Sequence, residues 1–411
     1  MKIAVIGGGL AGCAAALDLV EAGHGVTLYE ARPTLGGAVQ TLPEREGDPA
    51  PPPDNGQHIA LGCFTEYIAF LQRIGSSGAF RRVRLALPVV AEDGSVAEIK
   101  PSLPALLSYR HLPRRDRLRI PLVTARCRNT QARPGETFGA LLRRLGASEL
   151  AISRFWDVFV RPALNLPVDE ADADAGLFTV RTALLGPRES SDVILPVRPL
   201  GAMHGEAARR ALEARGATVE TAVRIDGIDD VRADAVVVAL PPAESAELLG
   251  EAAPMLEDSP IVSVHLLFDR PLLRTQLAAL LASDAHWLFD RGALTGTAPP
   301  TGQYLTVVSS GVPELMDVRG RELVERLAGQ ITERLGAAEL LWSRVSREPR
   351  ATIALRPGVD GARAGAATSR ENVVRAGAWT ATGWPPTMES AVRSGRAAAR
   401  MLSGLKTPVA A

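Results

Sequence analysis

The sequence predicts an α/β protein: a mostly parallel sheet wrapped by helices, joined to a discontinuous α+β region of antiparallel sheet and helices. Three stretches carry that expectation. Residues 2–32 read as strand, glycine-rich turn, helix and strand. Residues 234–242 are an apolar strand closing in Pro241-Pro242, and residues 372–402 pass from a strand through a turn into a long helix. Between the last two, residues 261–268, 285–289 and 304–308 read as strands of an antiparallel sheet, the first with clear alternation.

The first stretch is the most informative. Lys2-Ile3-Ala4-Val5-Ile6 is a short β-branched run and runs into Gly7-Gly8-Gly9-Leu10-Ala11-Gly12, a G-x-G-x-x-G at Gly7, Gly9 and Gly12. Leu10, Ala14, Leu17 and Val20 share one helical face, and Gly23 suits a C-cap. Val26–Tyr29 is the next strand, and Glu30 ends it, 18 residues after Gly12. That is the whole Rossmann-like βαβ unit and not glycines alone. Gly7 permits the turn, Gly9 lets backbone approach a diphosphate, and Gly12 lets the helix close on the sheet. Leu10 and Ala11 open a helix whose free N–H groups favour phosphate, while Glu30 is placed for a ribose diol.

Composition bounds the rest. The chain has 411 residues, enough for two or three domains' worth of core, with 46% hydrophobic and 22% charged residues, as globular proteins have. A net charge of +0 argues against general nucleic-acid binding. Cys13, Cys63 and Cys127 show no metal-ligand spacing, so no metal is expected and a reducing cytoplasm is the simple reading. The first strand begins at once, leaving no room for a signal peptide, and no apolar run is long enough to span a bilayer. Arg110, Arg114, Arg115, Arg117 and Arg119 cluster with only Asp116 among them, in a stretch (residues 81–120) read as irregular and basic. A solvated face is the favoured reading of that cluster. A patch resting on anionic lipid at the inner face of the membrane is the sharper one.

The remaining elements follow in order. Residues 61–74 read as a helix. Residues 136–166 read as two helices broken at Gly146, the second with Leu150, Ile152, Phe155, Trp156 and Phe159, a stripe fit for core or for the wall of an apolar tunnel. Met203–Arg215 is an amphipathic helix, residues 319–335 another, residues 341–347 a strand and residues 360–370 a flexible loop.

Glu30-Ala31-Arg32 followed by Gly36-Gly37 resembles the FAD-dependent amine oxidase and phytoene desaturase superfamily, whose motif runs on as E-A-R-x-x-x-G-G-R; Ala38 stands at the final Arg. Gly377-Ala378 and Thr387-Met388-Glu389-Ser390-Ala391 resemble its last flavin motif, with Ala378 where an Asp is usual. The resemblance implies FAD as cofactor. Gly36, Gly37 and Arg32 would lie along the diphosphate, Val223 would bond adenine through its backbone, and Gly377, Pro386, Thr387 and Met388 would meet the flavin end. It also implies an FAD-binding domain of residues 1–75, 195–245 and 350–405, a substrate domain of residues 76–194 and 246–349, and a flexible tail at 406–411.

Asp54-Asn55-Gly56-Gln57-His58, Trp156, Asn165 and Trp384-Pro385 resemble one branch, the bacterial hydroxysqualene dehydroxylases of hopanoid biosynthesis. What that implies is reduction of a long apolar isoprenoid, hydroxysqualene, to squalene by reduced FAD with loss of water. His58 would be the proton donor, Gln57 or Asn55 would orient the hydroxyl, and Trp384 would face the allylic cation. The rivals are a carotenoid-type desaturase, an amine oxidase, and a non-catalytic scaffold that kept the fold.

Overall fold

In a computed structural model, which describes residues 1–404, the strands form one five-stranded, one seven-stranded and one small three-stranded sheet. The expected tail at 406–411 lies outside the described residues.

The five-stranded sheet is wholly parallel. Its order is Val373–Arg375, Ala235–Val238, Lys2–Ile6, Gly25–Glu30, Thr218–Thr221. The strand Lys2–Ile6 is central and buried on both faces, which is why it reads as an unbroken apolar run. The helix Leu10–Glu21 covers one face, and the helix Met388–Ser403 packs across it. Their approach is close because a Cβ on Gly395 would stand 2.1 Å from the Ala11 carbonyl oxygen.

The seven-stranded sheet is mostly antiparallel. Its order is Leu340–Ile353, Asp258–Phe268, Gln303–Ser310, Trp287–Asp290, Leu277–Leu280, Leu87–Val90, Val96–Ile99, with one parallel pair between Leu277–Leu280 and Leu87–Val90. Val262, Val264, Leu266, Leu305 and Val307 pack on one side against the helix Gly320–Leu335. The other side divides. Phe289, Leu277 and Ala279 meet the helices of residues 103–183, whereas His265, Ser263, Thr306 and Arg344 lie under the loop of residues 43–58.

Several expectations are corrected. Residues 81–120 are not irregular: they hold the strands Phe80–Val83, Leu87–Val90 and Val96–Ile99 and the helices Leu103–Ser108 and Arg114–Cys127. Leu87–Val90 is a four-residue run containing Pro88, a signal that normally argues against an inner strand. It is tolerated because the parallel pairing starts beyond Pro88, at Val89. The strand expected at 341–347 runs from Leu340 to Ile353. The helix expected at 61–74 spans Thr65–Arg73, because Leu61 joins a short strand and Gly62 is wedged so that a Cβ would lie 1.9 Å from the Glu189 carbonyl oxygen. The helices near 150 and 203 open with wide π turns, Ile152–Trp156 and Ala202–Glu206. Trp156 and Phe155 sit in core against Phe138 and Tyr109, the plainer of the two readings of that stripe.

Candidate active site

The glycine-rich turn builds an anion cradle. Gly7 is held at φ +107°, and a Cβ there would lie 2.3 Å from the Ala239 carbonyl oxygen. At Gly12 a Cβ would meet the Gly7 carbonyl oxygen at 1.8 Å, so only glycine lets this helix start so close to the strand. Gly9 differs: a Cβ would meet nothing nearer than Gly37 Cα at 3.8 Å, so the surface above Gly9 is open. The helix has no side-chain cap and no acid in its first turn, and the N–H groups of Ala11 and Gly12 have no partner among the described residues. Free donors, an open backbone and a positive helix end fit the diphosphate of FAD.

The neighbouring groups surround this turn. Glu30 accepts hydrogen bonds from the backbone N–H of Gly8 (2.7 Å) and Arg32 (2.8 Å), which fixes its carboxylate beside the cradle. Gly36 N–H donates to the Gly8 carbonyl at 2.8 Å, so Gly36-Gly37 lies along the turn. Arg32 is exposed and curls onto the Gly37 carbonyl and Gln40 Oε1. The Val223 N–H donates to the Glu30 carbonyl at 3.0 Å, while its own carbonyl has no backbone partner among the described residues.

At the far end, Gly377 N–H donates to Ser394 Oγ. Thr387 caps the last helix by accepting from Ser390 N–H, and Met388 N–H has no partner among the described residues. Pro386 and Ala378, with Trp379, Pro241, Asp258 and Arg350, line a cleft of about 190 Å³ where the usual carboxylate is missing. Arg363, in the stretch expected to be a flexible loop, is 6% exposed, and its guanidinium bonds the carbonyls of Ala378, Trp379, Thr380 and Trp384. It holds the whole motif in shape, and no local pattern announces it.

The Asp54–His58 loop crosses the polar part of the seven-stranded sheet. Asp54 is a clamp: it pairs with buried Arg291 at 2.6 Å, accepts from Thr41 Oγ1 and Leu200 N–H, and its carbonyl meets His265 Nε2 at 2.9 Å. Asn55 bonds the Ala38 carbonyl and reaches Glu348. Gln57 is buried, and His58 is half-buried with its Nε2 beside Gly56. The buried Ser263 hydroxyl, which has no partner, approaches the same glycine, where a Cβ would stand 2.9 Å from it. Burial pushes the His58 pKa below the usual imidazole range, against an opposing pull from Asp54, and burial pushes the Glu348 carboxyl upward. Both shifts favour the neutral form. Ser263 and Glu348 come from strands and Arg291 from a short helix, with no chemical signature; the sole hint is polar residues at alternate core-facing positions, as at Ser263 and His265.

Trp384 lies against Phe64 and Phe178 edge-on, and the Arg393 guanidinium stands 4.9 Å from its ring centre, so a protein cation already engages one face. Asn165 ends its helix in the left-handed region (φ 52°) and ties that end to the Ser259 carbonyl and Gly311 N–H, a structural knot.

Comparison with known proteins agrees with this geometry. The family model for flavin containing amine oxidoreductase matches residues 201–402, and that for an NAD(P)-binding Rossmann-like domain matches residues 5–73. A hydroxysqualene dehydroxylase of Sinorhizobium fredii is 29% identical over 97% of each chain. A zeta-carotene desaturase of Synechocystis is 25% identical over 98% of this chain and 97% of its own. An oxidoreductase of Methanosarcina mazei has the same fold, with a TM-score of 0.75 at 21% identity over 97% of this chain and 99% of its own. The glycine cradle, the acid at the second strand and the capped last helix thus belong to an FAD-dependent oxidoreductase, and the chain is a member of the flavin amine oxidase and desaturase superfamily.

Proposed function

We propose that this chain reduces hydroxysqualene to squalene. The observation that carries the reading is the full-length similarity to hydroxysqualene dehydroxylases, together with a D-N-G-Q-H loop clamped over a polar sheet face. FAD would be held by Gly7, Gly9, Leu10, Ala11, Gly12, Glu30, Ala31, Arg32, Gly36, Gly37, the Val223 carbonyl, Gly377, Pro386, Thr387 and Met388. Reduced FAD supplies the hydride.

The chain's own residues have three tasks. The first is to protonate the leaving hydroxyl, so that the C–O bond breaks to give water while a C–H bond forms. His58 is the proposed donor. Its lowered pKa makes the imidazolium a strong but thinly populated acid at neutral pH, so turnover should rise as pH falls below about 6.5. Glu348 is the second candidate, because burial keeps its carboxyl protonated to higher pH than usual. The second task is to orient the hydroxyl, for which Gln57 and the unpartnered Ser263 are proposed. The third is to shield the allylic cation from water, which falls to the apolar part of the sheet face and the free face of Trp384.

The test is anaerobic incubation with hydroxysqualene and a flavin reductant, with products read by mass spectrometry. Squalene is expected. A second reading, desaturation of a carotenoid-type polyene, draws on the similarity to zeta-carotene desaturase. New double bonds in such a polyene, without squalene from hydroxysqualene, would replace the first reading with the second.

A further inference from the structure

We propose that the two helices Leu103–Ser108 and Arg114–Cys127 form a docking surface for an anionic lipid bilayer. The arginine cluster alone does not carry this. What carries it is the arrangement of leucines around it.

The helix Leu103–Ser108 buries none of its residues; it rides on the helix Arg114–Cys127 with Leu103 56% and Leu107 38% exposed. The longer helix turns Asp116, Ile120, Val123 and Cys127 inward and leaves Leu118 (65%) and Leu122 (50%) outward, one turn apart. Four exposed leucines on two adjoining helices make an apolar patch of the kind soluble surfaces seldom leave uncovered.

The exposed charges on these two helices have one sign. Asp116, the helix's one acid, is 2% exposed and so does not offset the outer face. Arg117 is spent on the carbonyls of Leu112 and Leu107, where it ties the two helices together. Arg110, Arg114 and Arg119 are exposed and have no carboxylate partner among the described residues. Outward leucines flanked by unpaired arginines are the pattern of a helix lying in the lipid interface, with apolar side chains in the acyl boundary and guanidinium groups at anionic headgroups. A protein partner fits less well: protein interfaces favour aromatic anchors and few charges at their centre, whereas Tyr109, the aromatic residue between these helices, is fully buried. Among the described residues no helix is long and apolar enough to cross a membrane, so contact would be peripheral. The choice of a bilayer also rests in part on the proposed substrate, a hydrocarbon that partitions into lipid.

The experiment is co-sedimentation of the full chain, without substrate, with phosphatidylcholine vesicles containing or lacking phosphatidylglycerol. Wild type should bind the anionic vesicles about tenfold more tightly than the neutral ones. Leu118→Glu/Leu122→Glu should abolish binding to both, and Arg114→Glu/Arg119→Glu should abolish the anionic preference. Neither pair should change turnover of detergent-dispersed substrate. Failure of wild type to bind anionic vesicles, or unchanged binding by the leucine pair, would overturn the proposal. So would a dimer, seen by analytical ultracentrifugation, that the leucine pair dissociates in the absence of vesicle binding. Because vesicle binding is read without substrate, a chain that binds lipid yet yields no squalene would sink the functional reading and leave this one standing.

Discussion

The two large sheets are built on opposite principles. The five-stranded sheet has an apolar core, and the cradle at its edge is made largely of backbone, glycines, N–H groups and a helix end within residues 7–37, with Glu30 as its acid. The seven-stranded sheet carries buried charge, and its site is held by pairs that join remote segments, Asp54 with Arg291 and Asp48 with Arg344. Backbone donors at a helix end are put in place by the helix itself, with no partner from a remote segment. Buried charges are stable only as complete pairs, so the second site depends on the whole tertiary structure.

The largest expected effect tests that dependence. Arg291→Met leaves Asp54 buried without its partner and should cost about 3–5 kcal/mol in urea unfolding. Asp54→Asn/Arg291→Met should recover much of this. A single-variant loss under about 1 kcal/mol would erase the contrast between the sheets.

Next in size is the chemistry. His58→Ala should lower turnover of hydroxysqualene about a hundredfold. If it does not, and Glu348→Gln does, the proton comes from the sheet and not from the loop. A rate that rises toward acid in wild type and is flat in His58→Ala would favour the loop.

Acid should weaken the fold through histidines that burial keeps neutral. His204 and His286 are lowered to about 4 and His265 to about 3, in each case chiefly by desolvation. Their folded-state values lie below the unfolded one, so their contribution is complete above about pH 6.5 and is lost as pH falls toward those values. At pH 5 each costs at most about 2 kcal/mol. Carboxyls raised by burial, such as Glu389 and Asp157, act in the opposite sense and offset part of the loss. Urea midpoints at pH 7 and pH 5 measure the balance. Of the three, His265 lies in a strand of the seven-stranded sheet and His286 in the turn just before its strand Trp287–Asp290, so that half should loosen first.

The smallest effect sharpens the other side. Gly9→Ala places a methyl in open space and should leave the unfolding midpoint unchanged, while the visible flavin absorbance at fixed FAD falls about tenfold in apparent affinity. Gly12→Ala should instead destabilise the fold itself, since its Cβ strikes the Gly7 carbonyl.

Legibility in the sequence follows the same division. The cradle, Glu30 and the last helix could be read because each function sits within one turn of a local motif. The strands at 87–99 could not, because a short apolar run with a proline has no distinctive period. Arg363 and Glu348 could not, because what makes them matter is a partner more than ten residues away.

By itself, then, the chain's order of residues determined the parallel sheet and the nucleotide-binding turn, since these rest on short-range backbone geometry that glycine spacing and apolar runs encode directly, and the resemblance of its motifs pointed to FAD. Only the tertiary structure decided which carboxylates and imidazoles are buried, which hydroxyl lacks a partner beside Gly56, and which leucines face outward. Burial and pairing are sums over many distant neighbours, and no local stretch carries them.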